Sequence, residues 1–175
     1  TDGNGCTGTV SRTITVNENP SASISGFNTI CLGSSTTLTA TGSGGSGSGY
    51  TYTWNGGLGT NNAITVSPTS NTSYSVTMTD GNGCVVTANR TVNVNSSLNL
   101  SINYNGSVCL RTNGTLGVNV SGGSSPYTFN WSGPSGFTSN TQSATITNDG
   151  NYYVTVTDAV GCSANTTGFI YQRYD

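Results

Sequence analysis

Apolar and polar residues alternate along most of the chain, and this period of two predicts β-strands. In residues 7–17, for example, Val10, Ile14 and Val16 share one parity while threonines occupy much of the other. Runs rich in Gly, Ser and Asn separate the alternating stretches and favour turns. The residues that mark these predicted strands, among which Leu38 and Ala40 are predicted to point inward, are Ala22, Ile24, Leu38, Ala40, Tyr50, Tyr52, Trp54, Ile64, Val66, Tyr74, Val76, Met78, Val86, Ala88, Val92 and Val94.

The same series of strands returns later in the chain at a constant offset. Residues 1–6 (TDGNGC) recur as residues 79–84 and, in altered form, as residues 157–162, a step of 78 residues each time. Such an offset is the signature of a tandem array. We therefore expect the last hairpin and strand of a preceding repeat in residues 1–19, a first repeat in 20–95 and a second repeat in 96–175. The strands of the second repeat are marked by Leu98, Leu100, Ile102, Leu116, Val118, Val120, Tyr127, Phe129, Trp131, Ala144, Ile146, Tyr152, Val154 and Val156, and residues 169–171 close it.

Each repeat contains about seven short strands, and its third strand carries a row of aromatic residues that ends in Trp. This pattern predicts an all-β fold of tandem immunoglobulin-like (Ig-like) or PKD-like β-sandwiches arranged head-to-tail. The aromatic residues lie at i, i+2 and i+4, so they share one face of the strand, and we expect a core rather than a sugar-stacking platform. The predicted core aromatics are Tyr50, Tyr52, Trp54, Tyr127, Phe129 and Trp131, and the predicted exposed contacts are Tyr153, Tyr171 and Tyr174.

The recurring TDGNGC motif predicts tight hairpin turns, because Asx-Gly pairs adopt the backbone angles that such turns require. Asp also favours turns by accepting hydrogen bonds from its own backbone. A calcium site built on the same oxygens would need about six to eight oxygen ligands with several carboxylates, and one Asp per turn is too few. The predicted turn residues are Asp2, Asn4, Asp80, Asn82 and Asp158.

Composition and charge argue against several classes of function. The net charge is −2, from six acidic residues and four Arg, so the chain has no basic patch for nucleic acid or an anionic membrane surface. No apolar run approaches the length of about 18 residues that inserts directly into a membrane. His and Lys are absent, which leaves general acid–base catalysis and nucleophile activation without their usual groups. We predict that the chain is not an enzyme and requires no cofactor or metal.

Five cysteines at repeat-related positions, without the spacing of a zinc site, indicate a disulfide framework and an extracellular location. Two pairings are compatible with the sequence. In one, Cys31 pairs with Cys84 and Cys109 with Cys162, inside each repeat. In the other, Cys31 pairs with Cys162 across the junction of the two repeats, while Cys6 and Cys84 pair with earlier repeats and Cys109 with a later one. Ig topology favours the second, because it places Cys31 and Cys84 at opposite ends of a sandwich, and a strand of six residues spans about 20 Å.

Two groups of motifs also resemble a known family. Residues 122–131 (GGSSPYTFNW), 150–158 (GNYYVTVTD) and 161–162 resemble the repeat of SprB-type gliding adhesins of Bacteroidota. Residues 31–38 (CLGSSTTL), 64–68 (ITVSP) and 74–84 resemble related Ig-like and PKD-like surface repeats of the same bacteria. The resemblance implies a cell-surface protein exported by the type IX secretion system.

These observations predict a structural or adhesive segment of a long extracellular fibre or stalk, with neighbouring repeats as its partners and a glycan or surface as a possible ligand. A carbohydrate-binding or spacer module of a secreted enzyme is an alternative. A filament subunit that donates residues 1–19 as a strand to a neighbour is another.

Overall fold

The computed structural model describes residues 1–105 and 114–171, and this part of the chain is built almost entirely from β-strands. Single turns of 3-10 helix occur at Asn55–Gly57 and Pro134–Gly136. The strands are β1 (Ser21–Ser25), β2 (Thr29–Cys31), β3 (Thr36–Ser43), β4 (Thr51–Trp54), β5 (Ala63–Val66), β6 (Thr72–Thr79), β7 (Val85–Asn95), β8 (Asn99–Asn105), β9 (Gly114–Ser121), β10 (Thr128–Ser132), β11 (Thr138–Ser139), β12 (Ser143–Ile146), β13 (Gly150–Thr157) and β14 (Ser163–Ile170). The all-β prediction is confirmed.

The strands of the described residues form four sheets. Strands from the first repeat form a sheet with the order β1-β3-β5 and a sheet with the order β2-β7-β6-β4. Strands from the second repeat form the sheets β8-β9-β12 and β11-β10-β13-β14. The sequence-adjacent strands β13 and β14 pair antiparallel over eight residue pairs, whereas β2 runs parallel to the end of β7. This division into two sheets per repeat is the arrangement of an Ig-like sandwich.

Alternation along the strands decides which side chains are buried. On β13, Tyr152, Val154 and Val156 are buried, whereas Asn151, Tyr153 and Thr155 on the other face are exposed. Most of the buried apolar residues of this repeat form one hydrophobic cluster, and full burial of each large apolar side chain contributes about 1.5–3 kcal/mol. The cluster consists of Leu116, Val118, Trp131, Ile146, Tyr152, Val154, Val156 and Ile170.

The two Trp residues of the aromatic rows are the most deeply buried members of those rows. Trp54 is 2% exposed and Trp131 is fully buried. Each indole N–H donates a hydrogen bond to a backbone carbonyl, that of Asn61 at 2.9 Å and that of Thr141 at 2.8 Å, so neither ring leaves its polar atom unsatisfied. The remaining aromatics of the two rows, Tyr50, Tyr52, Tyr127 and Phe129, are half-buried.

Residues 7–17 do not form the β-strand that their alternating pattern predicts. The structure has no strand there, and Val10, Ile14 and Val16 are 99%, 80% and 89% exposed. A strand is stable only when a neighbouring strand satisfies its backbone hydrogen bonds, and no strand of the described residues pairs with this segment. The turn of the predicted hairpin does form, because the backbone N–H of Asp2 donates to the carbonyl of Cys6 at 2.8 Å.

The chain divides into two compact units. Unit 1 comprises Thr1–Ser25, Thr39–Ile64 and Ser75–Asn89. Unit 2 comprises residues 26–38 and 65–74 and the described part of residues 90–175. The units interleave along the chain, so the repeat boundaries at residues 19/20 and 95/96 stay a prediction.

Candidate functional site

The most distinctive chemistry of the structure is a disulfide inside unit 2. Cys31 and Cys162 are bonded with a Cα–Cα distance of 5.6 Å and a sequence separation of 131 residues. Cys6 and Cys84 are exposed free thiols, and Cys109 lies outside the described residues. The structure therefore has the pairing that joins a cysteine of the first repeat to a cysteine of the second. We call this disulfide, together with Asn95, Ser124 and Asp158, the clasp.

The parallel pairing of β2 with β7 places one half of the clasp. Cys31 is the register partner of Asn95, the last residue of β7. The backbone N–H of Leu32 extends this pairing by donating to the carbonyl of Asn95 at 3.2 Å. The rejected partner, Cys84, precedes the first residue of β7, an 11-residue strand. A strand of 11 residues spans roughly 35 Å at about 3.3 Å per residue, whereas a disulfide needs Cα atoms within about 4.4–6.8 Å, so a cysteine beside the first residue of such a strand does not reach one beside its last.

The hairpin between β13 and β14 positions Cys162 and Asp158, which form the other half of the clasp. Asp158 begins the turn, its N–H donates to the carbonyl of Cys162 at 2.9 Å, and the N–H of Gly161 donates to the carbonyl of Asp158 at 3.1 Å. The Asp158 side chain completes the turn, since its Oδ1 accepts the N–H groups of Val160 and Cys162, both at 2.9 Å. These bonds hold Cys162 in one position relative to the carboxylate.

Asn95 links the two halves. Its Nδ2 donates to Oδ2 of Asp158 and lies 3.4 Å from Sγ of Cys162. Its Oδ1 accepts the hydroxyl of Ser124 at 2.8 Å, and the backbone N–H of Ser124 donates to Oδ2 of Asp158 at 3.1 Å. Asn95 and Asp158 are only 9% and 5% exposed. The disulfide is thus surrounded by a buried polar network in which each side-chain oxygen of Asn95 and Asp158 has at least one donor.

This network sets the charge of the site. Burial would raise the pKa of Asp158, but the hydrogen bonds from Ser124, Cys162, Asn95 and Val160 outweigh it and lower the pKa below its usual value. The carboxylate is therefore ionised at neutral pH and its four donors are N–H groups. A cation would have to displace these donors, so the geometry argues against a calcium ion on Asp158.

The two turns with the unaltered TDGNGC sequence reproduce the local part of this geometry. Oδ1 of Asp80 accepts the N–H groups of Asn82 and Cys84 at 2.9 and 2.8 Å. Oδ1 of Asp2 accepts the N–H groups of Asn4 and Cys6 at 2.9 and 3.0 Å. The three Asp residues thus occupy equivalent positions in their turns, with Asp80 buried and Asp2 exposed. Burial would raise the pKa of Asp80, but the backbone hydrogen bonds of Cys84, Ser46, Asn82 and Gly83 lower it.

The sequence analysis did not single out Asn95 and Ser124. Both nevertheless follow the 78-residue offset, since Asn17 precedes Asn95 and Ser46 precedes Ser124 by that interval. The 78-residue repeat was therefore the feature of the sequence that could have identified Asn95 and Ser124 as candidates. Polar residues at repeat-related positions beside the turns were the candidates to examine.

The surroundings of the clasp are not those of a binding pocket for a small molecule. The cleft beside Cys31, Asn95 and Cys162 has a volume of about 140 Å³, whereas ligand pockets typically have about 300–1,000 Å³. Within residues 1–105 and 114–171, no cluster of three or more His, Cys, Asp or Glu side chains is arranged to hold a metal ion. In the same residues, no helix is long and apolar enough to cross a membrane. Elsewhere in unit 2, Tyr153 and Tyr171 are exposed, and Tyr174 lies outside the described residues.

The chain matches no protein-family model, and no curated protein is similar to it in sequence. Among solved structures, it is similar to the C-terminal 282-residue fragment of intimin, solved in complex with the intimin-binding domain of the translocated intimin receptor. The TM-score is 0.56 at 16% identity, and the similarity covers 90% of this chain and 64% of the intimin fragment. A second similar structure, of the Ig1 and Ig2 domains of DIP-gamma, has a TM-score of 0.45 at 9% identity and covers 90% of this chain and 99% of that one. The similarity to intimin, together with the sheet topology, shows that this chain has the Ig-like β-sandwich fold.

Proposed function

We propose that this chain is a load-bearing segment of an extracellular fibre or stalk made of disulfide-joined Ig-like repeats, similar to the surface repeats of Bacteroidota. The observation that carries the proposal is the Cys31–Cys162 disulfide, which joins strand β2 of the first repeat to the last hairpin of the second. Disulfides persist in oxidising, extracellular environments. The intimin fragment, which was solved in complex with the intimin-binding domain of a receptor, has a similar fold, and this similarity supports the proposal of a surface role.

In the proposed mechanism, the disulfide carries the pulling force that would otherwise act on the chain between its two cysteines. When the two ends of the chain are pulled apart, the force passes from Cys31 to Cys162 through the disulfide instead of through the 131 residues of separation. The backbone between them is shielded, so residues 32–161 cannot be drawn out while the disulfide is intact, whereas β1 and β14 lie outside the cross-linked loop. The hydrogen bonds of Asn95 and Asp158 hold the bonded ends in place when no tension acts.

Location is tested by immunogold electron microscopy. Antibodies raised against this chain should label filaments or stalks on intact, unpermeabilised cells of the organism that produces it. Labelling that appears only after permeabilisation would contradict an extracellular fibre.

The load-bearing role of the disulfide is tested by single-molecule force spectroscopy with handles at both termini. Because an extended residue spans at most about 3.3–3.6 Å, reduction of the disulfide should release roughly 450 Å of hidden length from the 131 residues. The Cys31→Ser, Cys162→Ser variant should give that length without reductant. Equal extension of the oxidised and reduced protein would refute the load-bearing role of the disulfide.

A carbohydrate-binding role is a second candidate, because exposed aromatic residues lie on one face of the β13–β14 ribbon. Tyr153 pairs with Thr167 and Asn151 with Phe169, so Tyr153 and Phe169 share a face. They are 50% and 67% exposed, and aromatic rings on an uncharged surface rimmed by Asn and Thr suit stacking on sugars. Binding to a glycan array that is lost in Tyr153→Ala and Phe169→Ala would support this role, and unchanged binding would contradict it.

A further inference from the structure

The sheet β11-β10-β13-β14 has an outward face without charged side chains. The residues that point away from the hydrophobic cluster have even numbers on β10 and odd numbers on β13 and β14. We call these residues, together with Thr138 and Asn140 at the end of β11, the polar face. They are Asn, Ser and Thr except for Tyr153 and Phe169. A ligand of the polar face is therefore recognised without ion pairs.

The polar face offers open hydrogen-bonding groups. Asn130 on β10 is the register partner of Thr155 on β13, and Thr155 is the partner of Asn165 on β14, so these three side chains form a row across the sheet. All three are exposed. Within the described residues, the side-chain amides of Asn130 and Asn165 make no hydrogen bond with the rest of the protein. Each amide can both donate and accept, which suits the hydroxyl groups of a ligand.

The two aromatic rings of the polar face are not required by the fold. Residues 78 positions earlier than Tyr153 and Phe169 are Ser75 and Thr91, which lie on the strands β6 and β7 of the first repeat. The first repeat thus forms its sheet with small polar side chains at these positions. Adjacent exposed apolar groups that the fold does not need commonly mark an interaction site.

A groove continues the polar face at the β10–β11 edge. Its volume is about 380 Å³, within the usual range for ligand pockets of about 300–1,000 Å³. Ser132 is the register partner of Thr138, so Asn140 lies beside Asn130. Strands are about 4.8 Å apart, and the groove is therefore roughly 10–14 Å from β14, which carries Phe169. The groove is lined by Asn130, Thr138, Ser139 and Asn140.

We propose that the polar face binds an uncharged polysaccharide with an extended chain, of the class of the β-1,4-linked glucans and mannans. The inference rests on the carbohydrate-binding candidate described above, and it adds the class of sugar and the path of the sugar chain. One part of the chain stacks on Tyr153 and Phe169. Another part lies in the groove, where the amides of Asn130 and Asn140 bond to sugar hydroxyls.

Charge and distance decide the class of ligand. An anionic polysaccharide would lose water from its carboxylate or sulfate groups without gaining a cation, since no Arg belongs to the polar face. A single sugar ring cannot contact both the aromatic pair and the groove across two to three strand spacings. An extended chain of several sugars reaches both.

NMR titration of the isotope-labelled full chain tests the inference. The probes are the disaccharides and hexasaccharides of β-1,4-linked glucose and of β-1,4-linked mannose, with a hexasaccharide of galacturonic acid as the anionic comparison. At least one uncharged hexasaccharide should bind, shift backbone amide signals of β10, β13 and β14, and have a Kd at least about tenfold lower than its disaccharide. Its affinity should be unchanged between about 50 and 500 mM salt, because no charge contributes to binding.

Substitutions separate the two parts of the site. Tyr153→Ala and Phe169→Ala should each weaken both the disaccharide and the hexasaccharide by about fivefold or more. Asn130→Ala should weaken the hexasaccharide by about threefold or more and leave the disaccharide unchanged, because only the longer chain reaches the groove. The matched controls are Phe27→Ala, which removes a ring that is 78% exposed outside the polar face, and Asn93→Ala on β7. Both controls should bind as the original protein does.

Failure of every uncharged hexasaccharide to bind would overturn the inference, and so would equal affinities for the disaccharide and the hexasaccharide. An unchanged hexasaccharide affinity in Asn130→Ala would overturn the path through the groove. The inference and the carbohydrate-binding candidate fail separately. Binding on the glycan array that is confined to anionic glycans and lost in Tyr153→Ala would reject only the uncharged class, whereas an array without any bound glycan would reject both.

Discussion

Replacing both cysteines of the clasp, Cys31→Ser with Cys162→Ser, tests how much the disulfide stabilises the fold. A cross-link stabilises mainly by restricting the unfolded chain, and the restriction grows with the logarithm of the loop length. For the separation of 131 residues, the chain-entropy relation gives about 5 kcal/mol at 25 °C as an upper value, and native disulfides commonly contribute about 2–4 kcal/mol. Both residues are replaced together so that no unpaired thiol is left against Asn95.

The assay is urea unfolding followed by circular dichroism, with thermal unfolding in parallel. In a protein of 150–250 residues, 1 kcal/mol corresponds to about 2–4 °C in Tm, so a loss of 2–5 kcal/mol should lower Tm by roughly 5–20 °C. The urea dependence (m-value) should also increase, because the unfolded variant is less compact and exposes more surface.

The matched control replaces the two free thiols, Cys6→Ser with Cys84→Ser. Both are exposed and unbonded, so the control should stay within about 0.5 kcal/mol of the original protein. Superimposable unfolding curves for the clasp variant and the control would refute the reasoning. They would mean that the 131-residue cross-link does not restrict the unfolded state.

Two further substitutions test the network around the disulfide, and a third tests a hydrogen bond of the hydrophobic core. Because the pKa of Asp158 is lowered in the folded protein, the ionised carboxylate stabilises the fold above the unfolded pKa of about 3.9, and this contribution disappears as the pH falls through the lower folded pKa. The Asp158→Asn variant should therefore be less stable than the original protein at pH 7 and should lose less stability between pH 5 and 2. Urea unfolding midpoints measured across that pH range would show both effects. Asn95→Ala should cost about 1–3 kcal/mol because it removes donors and an acceptor from a buried network, whereas Asn93→Ala, on the exposed face of β7, should be nearly neutral in the same assay. Tyr152→Phe removes the hydroxyl that donates to the carbonyl of Asn148 at 2.8 Å and should cost about 0.5–1.5 kcal/mol, and an unchanged urea midpoint would contradict a stabilising role for that bond.

Local features of the sequence were sufficient to predict most strands and all three turns. The alternation of Tyr152, Val154 and Val156 on β13 predicts the buried face directly, because successive side chains of a strand point to opposite sides. The Asp80 and Asp158 turns are equally local, since each carboxylate accepts N–H groups two and four residues further along the chain. The two strands that were not predicted, β2 and β11, have three and two residues, which is too short for a period of two to be recognised.

The segment of residues 7–17 shows the limit of the same reasoning. Its pattern matches that of β7, yet it forms no strand in the structure. Alternation specifies which face of a strand would be buried, but the backbone hydrogen bonds that hold the strand must come from another segment.

The sequence by itself determined the repeat, the all-β class, the turns and the set of cysteines available for bonding. Only the tertiary structure decided that Cys31 bonds to Cys162 and that Asn95 and Ser124 surround the bond with Asp158. The physical reason is distance along the chain. Asn95 and Asp158 are 63 residues apart, and their contact depends on the parallel pairing of β2 with β7 and on the position of the β13–β14 hairpin, which no local pattern of side chains encodes.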